Sequence, residues 1–114
     1  VTSNKLQKLK IKWKKQKCMT IVLCAKGYPG SYKKNLQIKN INKIDQSNNG
    51  FIYHAGTKIS EKKILSNGGR VLNITSLGND FLKIRNEIIS NIKKLNWKHG
   101  FYRTDIGWRV IKKK

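Results

Sequence analysis

The chain has 114 residues, enough for one domain that buries its own core without disulfides or a structural metal. Its 26 basic residues against 5 acidic ones give a formal net charge of +21, which points first to a polyanionic partner. No run is apolar enough to span a membrane, the longest being Met19 to Ala25 with Thr20 inside it, and no apolar segment with a small-residue cleavage site makes the lysine-rich start a signal peptide.

The first predicted element is Lys8 to Lys14, where Leu9, Ile11 and Trp13 alternate with lysines as in a half-buried strand with a charged outer face. Cys18 to Ala25 is nearly all apolar and is bounded by Gly27, so it reads as a central strand covered on both faces. Cys18 and Cys24 would share one side of that strand about 20 Å apart, too far to bond. Two unpaired thiols with neither a CxxC nor a Cys/His spacing fit a reducing, cytoplasmic setting and read as small buried hydrophobes. Gly27 to Tyr32 then makes a stiff loop around the chain's single proline, which fixes the positions of Tyr28 and Ser31. Such a loop after a buried strand can carry binding groups or merely connect. Leu36 and Ile38 give a short alternating strand, and Asp45 to Gly50 a polar loop.

Phe51 to Ala55 resumes the strand pattern and runs into His54-Ala55-Gly56-Thr57-Lys58. No second histidine, cysteine or clustered carboxylate accompanies His54 in sequence, so a hydrogen-bonded structural role is favoured over catalysis. Ser60 to Lys63 is a polar turn before Ile64-Leu65. Asn67-Gly68-Gly69 is a turn signal that lets the backbone take positive φ and can aim successive N–H groups at one anion. Arg70 follows, a planar fork of donors matched to phosphate or carboxylate. Taken alone the segment is better read as an ordinary hairpin turn with a solvated arginine at its exit, because Gly-Gly turns are common. From Val71 the chain reads as a buried strand. From Asn79 to Asn96 the period is helical, with Phe81, Ile84, Ile88, Ile92 and Leu95 on one stripe, Asn79 as N-cap, and Asp80 and Lys93-Lys94 complementing the helix dipole. The last predicted strand runs from Phe101 to Ile111, with Arg103, Asp105 and Arg109 on one face and Tyr102, Ile106, Trp108 and Val110 on the other. Asp105 between two arginines can orient them and leave donors for a ligand, or can simply form a structural pair.

The charge is carried by 22 lysines and only 4 arginines, alongside 15 Ile and 12 Asn. Lys, Ile and Asn all have A/T-rich codons, so compositional drift explains the excess without a nucleic-acid partner. The lysines are spread along the chain as on a solvated surface. Against that background, three of the four arginines fall in two short segments, at Arg70 and at Arg103 and Arg109.

Four segments in order, Ile21 to Tyr32, His54 to Thr57, Asn67 to Leu72 with Thr75 and Leu77-Gly78, and Tyr102 to Gly107, resemble the C-terminal domain of glycinamide ribonucleotide synthetase. Trp13 also fits, so the resemblance covers nearly all of the chain from about Ile11 onward. It implies an α+β fold in which a curled, mostly antiparallel sheet of about six strands carries one long packed helix, of the barrel-sandwich or rudimentary single-hybrid type. Residues 1–114 are then one domain at the C-terminal end of a larger ATP-grasp ligase, with 1–8 a ragged linker. The opening on Val1 rather than Met accords with missing upstream neighbours.

The implied reaction is ATP-dependent joining of glycine to 5-phosphoribosylamine in purine biosynthesis. ATP and Mg (or Mn) would be bound by upstream N-terminal and ATP-grasp domains, since the five carboxylates here are scattered singly. The fragment alone would be inactive, with no catalytic residue of its own. The expected substrate and phosphate contacts are Arg70 with Gly68 and Gly69, then Arg103 with Asp105. Lys58, His54, Tyr28 and Ser31 are secondary candidates. Two alternatives are a biotin-carboxylase-type ATP-grasp tail and a basic RNA-binding module. The second requires aromatics exposed for stacking, whereas the first reading expects Trp13, Trp97 and Trp108 to be largely buried.

Overall fold

A computed structural model describes residues 12, 15–44 and 50–112. Its strands are β1 (Lys17–Ala25), β2 (Gly50–His54), β3 (Thr57–Ser60), β4 (Lys63–Ser66), β5 (Arg70–Gly78) and β6 (Gly100–Phe101), with helices α1 (Phe81–Leu95) and α2 (Trp108–Lys112). The fold is α+β, as expected. Among the described residues the strands form an antiparallel sheet of order β2-β5-β1-β6 and a separate β3-β4 hairpin where one curled sheet was expected, and neither closes into a barrel. The predicted strand from Lys8 to Lys14 and most of the Asp45 to Gly50 loop lie outside the described residues.

The long helix forms where the 3.6-residue stripe places it. Ile84, Ile88, Ile92 and Leu95 are buried, and α1 packs through them on β5 and β1. The N-cap is Asp80 instead of the expected Asn79: its carboxylate accepts the Leu82 N–H at 3.1 Å. Asn96 closes the other end in the left-handed region, at φ 48°. β1 is interior, as predicted, but among the described residues it is covered on one face only. Met19, Ile21, Leu23 and Ala25 are buried under α1, while Cys18 is exposed and Val22 and Cys24 are half-buried on the opposite face. The two thiols are therefore not the buried hydrophobes that an unbroken apolar run suggested.

The segment predicted as a strand at Leu36 and Ile38 runs extended beside β4 with only one isolated bridge, Gln37 to Leu65. The Ser66 N–H donates to the Leu36 carbonyl at 2.9 Å and the Ile38 N–H to the Ile64 carbonyl at 2.9 Å. The largest departure is at the C-terminal end. The predicted strand from Phe101 to Ile111 survives only as Gly100–Phe101, because the chain then turns through Gly107 at φ 78° into α2. Tyr102 and Ile106 both pack against the core from this turn, a spacing that an alternating strand also satisfies. Trp108 is consequently 47% exposed, not buried, with the Arg109 guanidinium 5.4 Å from its ring centroid. Trp97 is half-buried against the core, and Trp13 lies outside the described residues.

Candidate functional site

The Asn67–Gly69 segment is not a hairpin turn, because the strands it joins belong to different sheets: β4 pairs with β3, whereas β5 pairs with β1 and β2. The register between β1 and β5 slips here. Leu23 sits opposite Leu72, but Cys24 sits opposite Arg70, leaving Val71 as the extra residue of a bulge. Without the slip, Arg70 would share the α1 side with Leu72 and Ile74. The bulge turns it onto the open side of the sheet beside Cys24, Val22 and Asn73, which is how such bulges re-aim a side chain.

On that open side lies a cavity of 510 Å³ that brings together three of the segments noted in the sequence. Tyr28 comes from the loop after β1, Ala55 and Gly56 from the end of β2, and Asn67 to Arg70 from the crossover, with Val22 and Asn73 on the strands beneath. The glycines serve close approach, not the positive φ expected of them, since Gly27 and Gly107 are the positive-φ glycines among the described residues. A Cβ on Gly69 would stand 1.9 Å from the Tyr28 ring, and one on Gly56 would stand 2.5 Å from the Arg70 carbonyl. Gly56 also ties the crossover down: its N–H donates to the Val71 carbonyl at 3.0 Å, and its carbonyl accepts the Asn67 N–H at 2.7 Å.

No carboxylate lines this cavity. The Arg70 guanidinium and the Gly68 and Gly69 N–H groups donate to none of the described residues, and donors of this kind suit an anion. Burial pushes the Cys24 thiol up from its ordinary value, and the Arg70 guanidinium across the strand pair pulls against that shift.

The other candidates are elsewhere. His54 Nδ1 and the Thr57 hydroxyl form a 2.8 Å hydrogen bond, and His54 lines a 360 Å³ cavity with Lys58. Ser31 lines a third cavity, on the other side of the 27–32 loop. Arg103 and Asp105 line neither this nor the Arg70 cavity. They form an exposed bidentate pair, Nε to Oδ1 at 3.1 Å and Nη2 to Oδ2 at 2.8 Å, in the turn before α2. The helix that follows them, α2, packs against α1. Asn73, whose amide lines the cavity, is the contributor that sequence reading missed. Its signal was one polar residue inside an otherwise apolar strand start.

The Arg103 side chain, first through its hydrogen bond and then through its charge, holds the Asp105 carboxyl below the usual carboxylate range, and Asp105 in turn pushes Arg103 up. A carboxyl lowered in the folded state keeps its pair above its unfolded pKa and loses it as the pH falls through the lowered value. The Arg103 Nε–H resonance is therefore expected to stay constant down through the usual carboxylate range and to move only below it. Asp105→Asn should abolish the transition. Because both groups are exposed, the effect on global stability is expected to be slight.

Among the described residues no three of His, Cys, Asp and Glu converge as metal ligands, so these residues do not fit a magnesium site. No helix among them is long and apolar enough to cross a membrane.

Comparison with known proteins gives one answer throughout. The family described as phosphoribosylglycinamide synthetase, C domain, matches residues 18–109. The chain is 39% identical to the chloroplastic phosphoribosylamine–glycine ligase of Arabidopsis thaliana, covering 96% of this chain and 21% of that protein. It is 37% identical to the trifunctional purine biosynthetic protein adenosine-3 of Gallus gallus, covering 82% of this chain and 9% of that one. The crystal structure of the Thermotoga maritima phosphoribosylamine–glycine ligase superposes with a TM-score of 0.65 at 28% identity, over 77% of this chain and 21% of that one. The chain thus spans about a fifth of the length of the Arabidopsis and Thermotoga relatives and about a tenth of the Gallus one. With residues 18–109 matched and the same α+β arrangement shared, it belongs to the phosphoribosylglycinamide synthetase C-domain family.

Proposed function

We propose that this chain is the substrate-side, C-terminal domain of an ATP-dependent ligase that joins glycine to 5-phosphoribosylamine in purine biosynthesis. The observation that carries the reading is the Arg70 cavity, lined by an arginine and by Gly68 and Gly69, whose N–H groups donate to none of the described residues, with no carboxylate in the lining. Phosphoribosylamine carries a phosphate, and that donor set suits one: Arg70 grips two of its oxygens while the Gly68 and Gly69 amides meet a third. Tyr28 walls one side, and the Asn67 and Asn73 amides can reach sugar hydroxyls. Arg103 with Asp105 offers a second, preoriented guanidinium in the turn before α2, with donors to spare.

ATP and Mg (or Mn) then belong to upstream N-terminal and ATP-grasp domains of the same polypeptide, which the relatives' greater length accommodates. The chain by itself should form no product. Cytoplasmic residence goes with this reading and with two unpaired thiols.

A chimera in which residues 18–109 replace the matching segment of the Arabidopsis ligase tests the proposal. It should make glycinamide ribonucleotide. Arg70→Met within it is expected to raise KM for phosphoribosylamine roughly 10- to 100-fold, the loss of a charge-assisted contact, with KM for glycine unchanged. An unaltered phosphoribosylamine KM would remove Arg70 from the substrate.

A further inference from the structure

The loop at residues 27–32 separates two cavities. Beyond it, at the end of β1, lies a second one of 510 Å³ whose floor is Ala25, Tyr32 and Leu36 and whose rim carries Lys26, Lys33 and Ser31. Ala25 belongs to the α1 side of the sheet, whereas Val22 and Arg70 belong to the open side, so the two cavities stand back to back. The Tyr28 ring lines one and the Tyr32 ring the other, edge to face with centroids 6.1 Å apart. Tyr32 is also packed against the core, which fixes its ring, and the Lys26 N–H donates to the His99 carbonyl at 3.0 Å, which ties the rim to the chain before β6.

The lining is mixed in a specific way. Ala25, Tyr32 and Leu36 offer apolar surface to a flat body that would gain by leaving water. The two ammonium groups and the Ser31 hydroxyl offer hydrogen bonds to an anion, and no carboxylate lines the cavity to repel it. A bare phosphate would leave the floor unused, and an uncharged ring would leave the lysines unused. We propose that this cavity is a second ligand site that takes a phosphorylated heteroaromatic ring of the nucleoside monophosphate type. The site does not depend on the ligase reading, since it shares no lining residue with the Arg70 cavity.

AMP is the probe, titrated into the nitrogen-15-labelled chain, with adenosine and ribose 5-phosphate as its two halves. Saturable shifts are expected at the amides of Ser31, Lys33, Leu36 and His99, with each half binding there at least about tenfold more weakly. A chain this basic attracts any anion, so the deciding comparison is between two double variants of equal charge. Lys26→Gln with Lys33→Gln should weaken AMP about tenfold or more, whereas Lys83→Gln with Lys93→Gln, on exposed positions of α1, should leave it unchanged. Equal losses in both variants, shifts confined to residues 67–70, or ribose 5-phosphate matching AMP at Ser31 and Lys33 would overturn the proposal.

Discussion

Ile88→Ala is expected to lower the stability of the chain by about 2–5 kcal/mol, against a total of about 5–15 kcal/mol for an ordinary domain. Ile88 is 0% exposed at the middle of the α1 stripe, flanked by Ile84 and Ile92, in the helix that packs on β5, which carries Leu72 and Ile74. Truncation there loses the transfer free energy of the removed carbons and leaves a void that a helix held at both ends against a sheet can only partly close. Ile59, on β3, is the matched contrast. It is 78% exposed, so Ile59→Ala should change stability by no more than about 0.5 kcal/mol. Urea unfolding of the two variants reads the difference as a fall in midpoint at constant slope. Similar midpoints would mean that α1 does not pack as described.

That contrast also shows what could be read in advance. The α1 stripe was legible because a 3.6-residue repeat of Ile and Leu has no other economical use. Its N-cap was not, because Asn79 and Asp80 are both good caps and the choice depends on where β5 ends. β1 was legible as a strand but not as a half-covered one, since whether a second layer lies over a sheet is decided by other parts of the chain. The C-terminal segment misled because Tyr102 and Ile106 satisfy an alternating pattern and a turn equally well, and only the positive φ of Gly107 distinguishes them.

The candidate site divides along the same line. Gly68, Gly69 and Arg70 could be named from local chemistry, and their union with Tyr28 and Gly56 followed from segments that share an order in a known family. The device that exposes Arg70 could not be named, because a one-residue register slip at Val71 leaves no mark in composition or spacing. Arg103 was expected to share a face with Asp105 and Arg109 on a long strand. With that strand reduced to two residues, it and Asp105 sit in the turn before α2, outside the Arg70 cavity.

Gly69→Ala is expected to abolish anion capture at the Arg70 cavity and to cost roughly 1–3 kcal/mol in stability, the range for forcing extra atoms into filled space. The added Cβ would stand 1.9 Å from Tyr28 Cδ2 and 2.4 Å from Cε2. The ring is backed by Tyr32, so it has little room to retreat. The crossover has little more: the Ala25 N–H holds the Gly69 carbonyl at 2.7 Å, and Gly56 stands close behind Arg70. Whichever side gives way, Tyr28 and Arg70 no longer face one another across the cavity. A double-mutant cycle isolates this cause. In a Tyr28→Ala background the ring is gone, and Gly69→Ala should then cost less than about 0.5 kcal/mol, because the three atoms nearest the methyl all belong to that ring. If Gly69→Ala costs as much without the ring as with it, the glycine is required by the backbone itself, and Tyr28 has no part in holding the crossover in place.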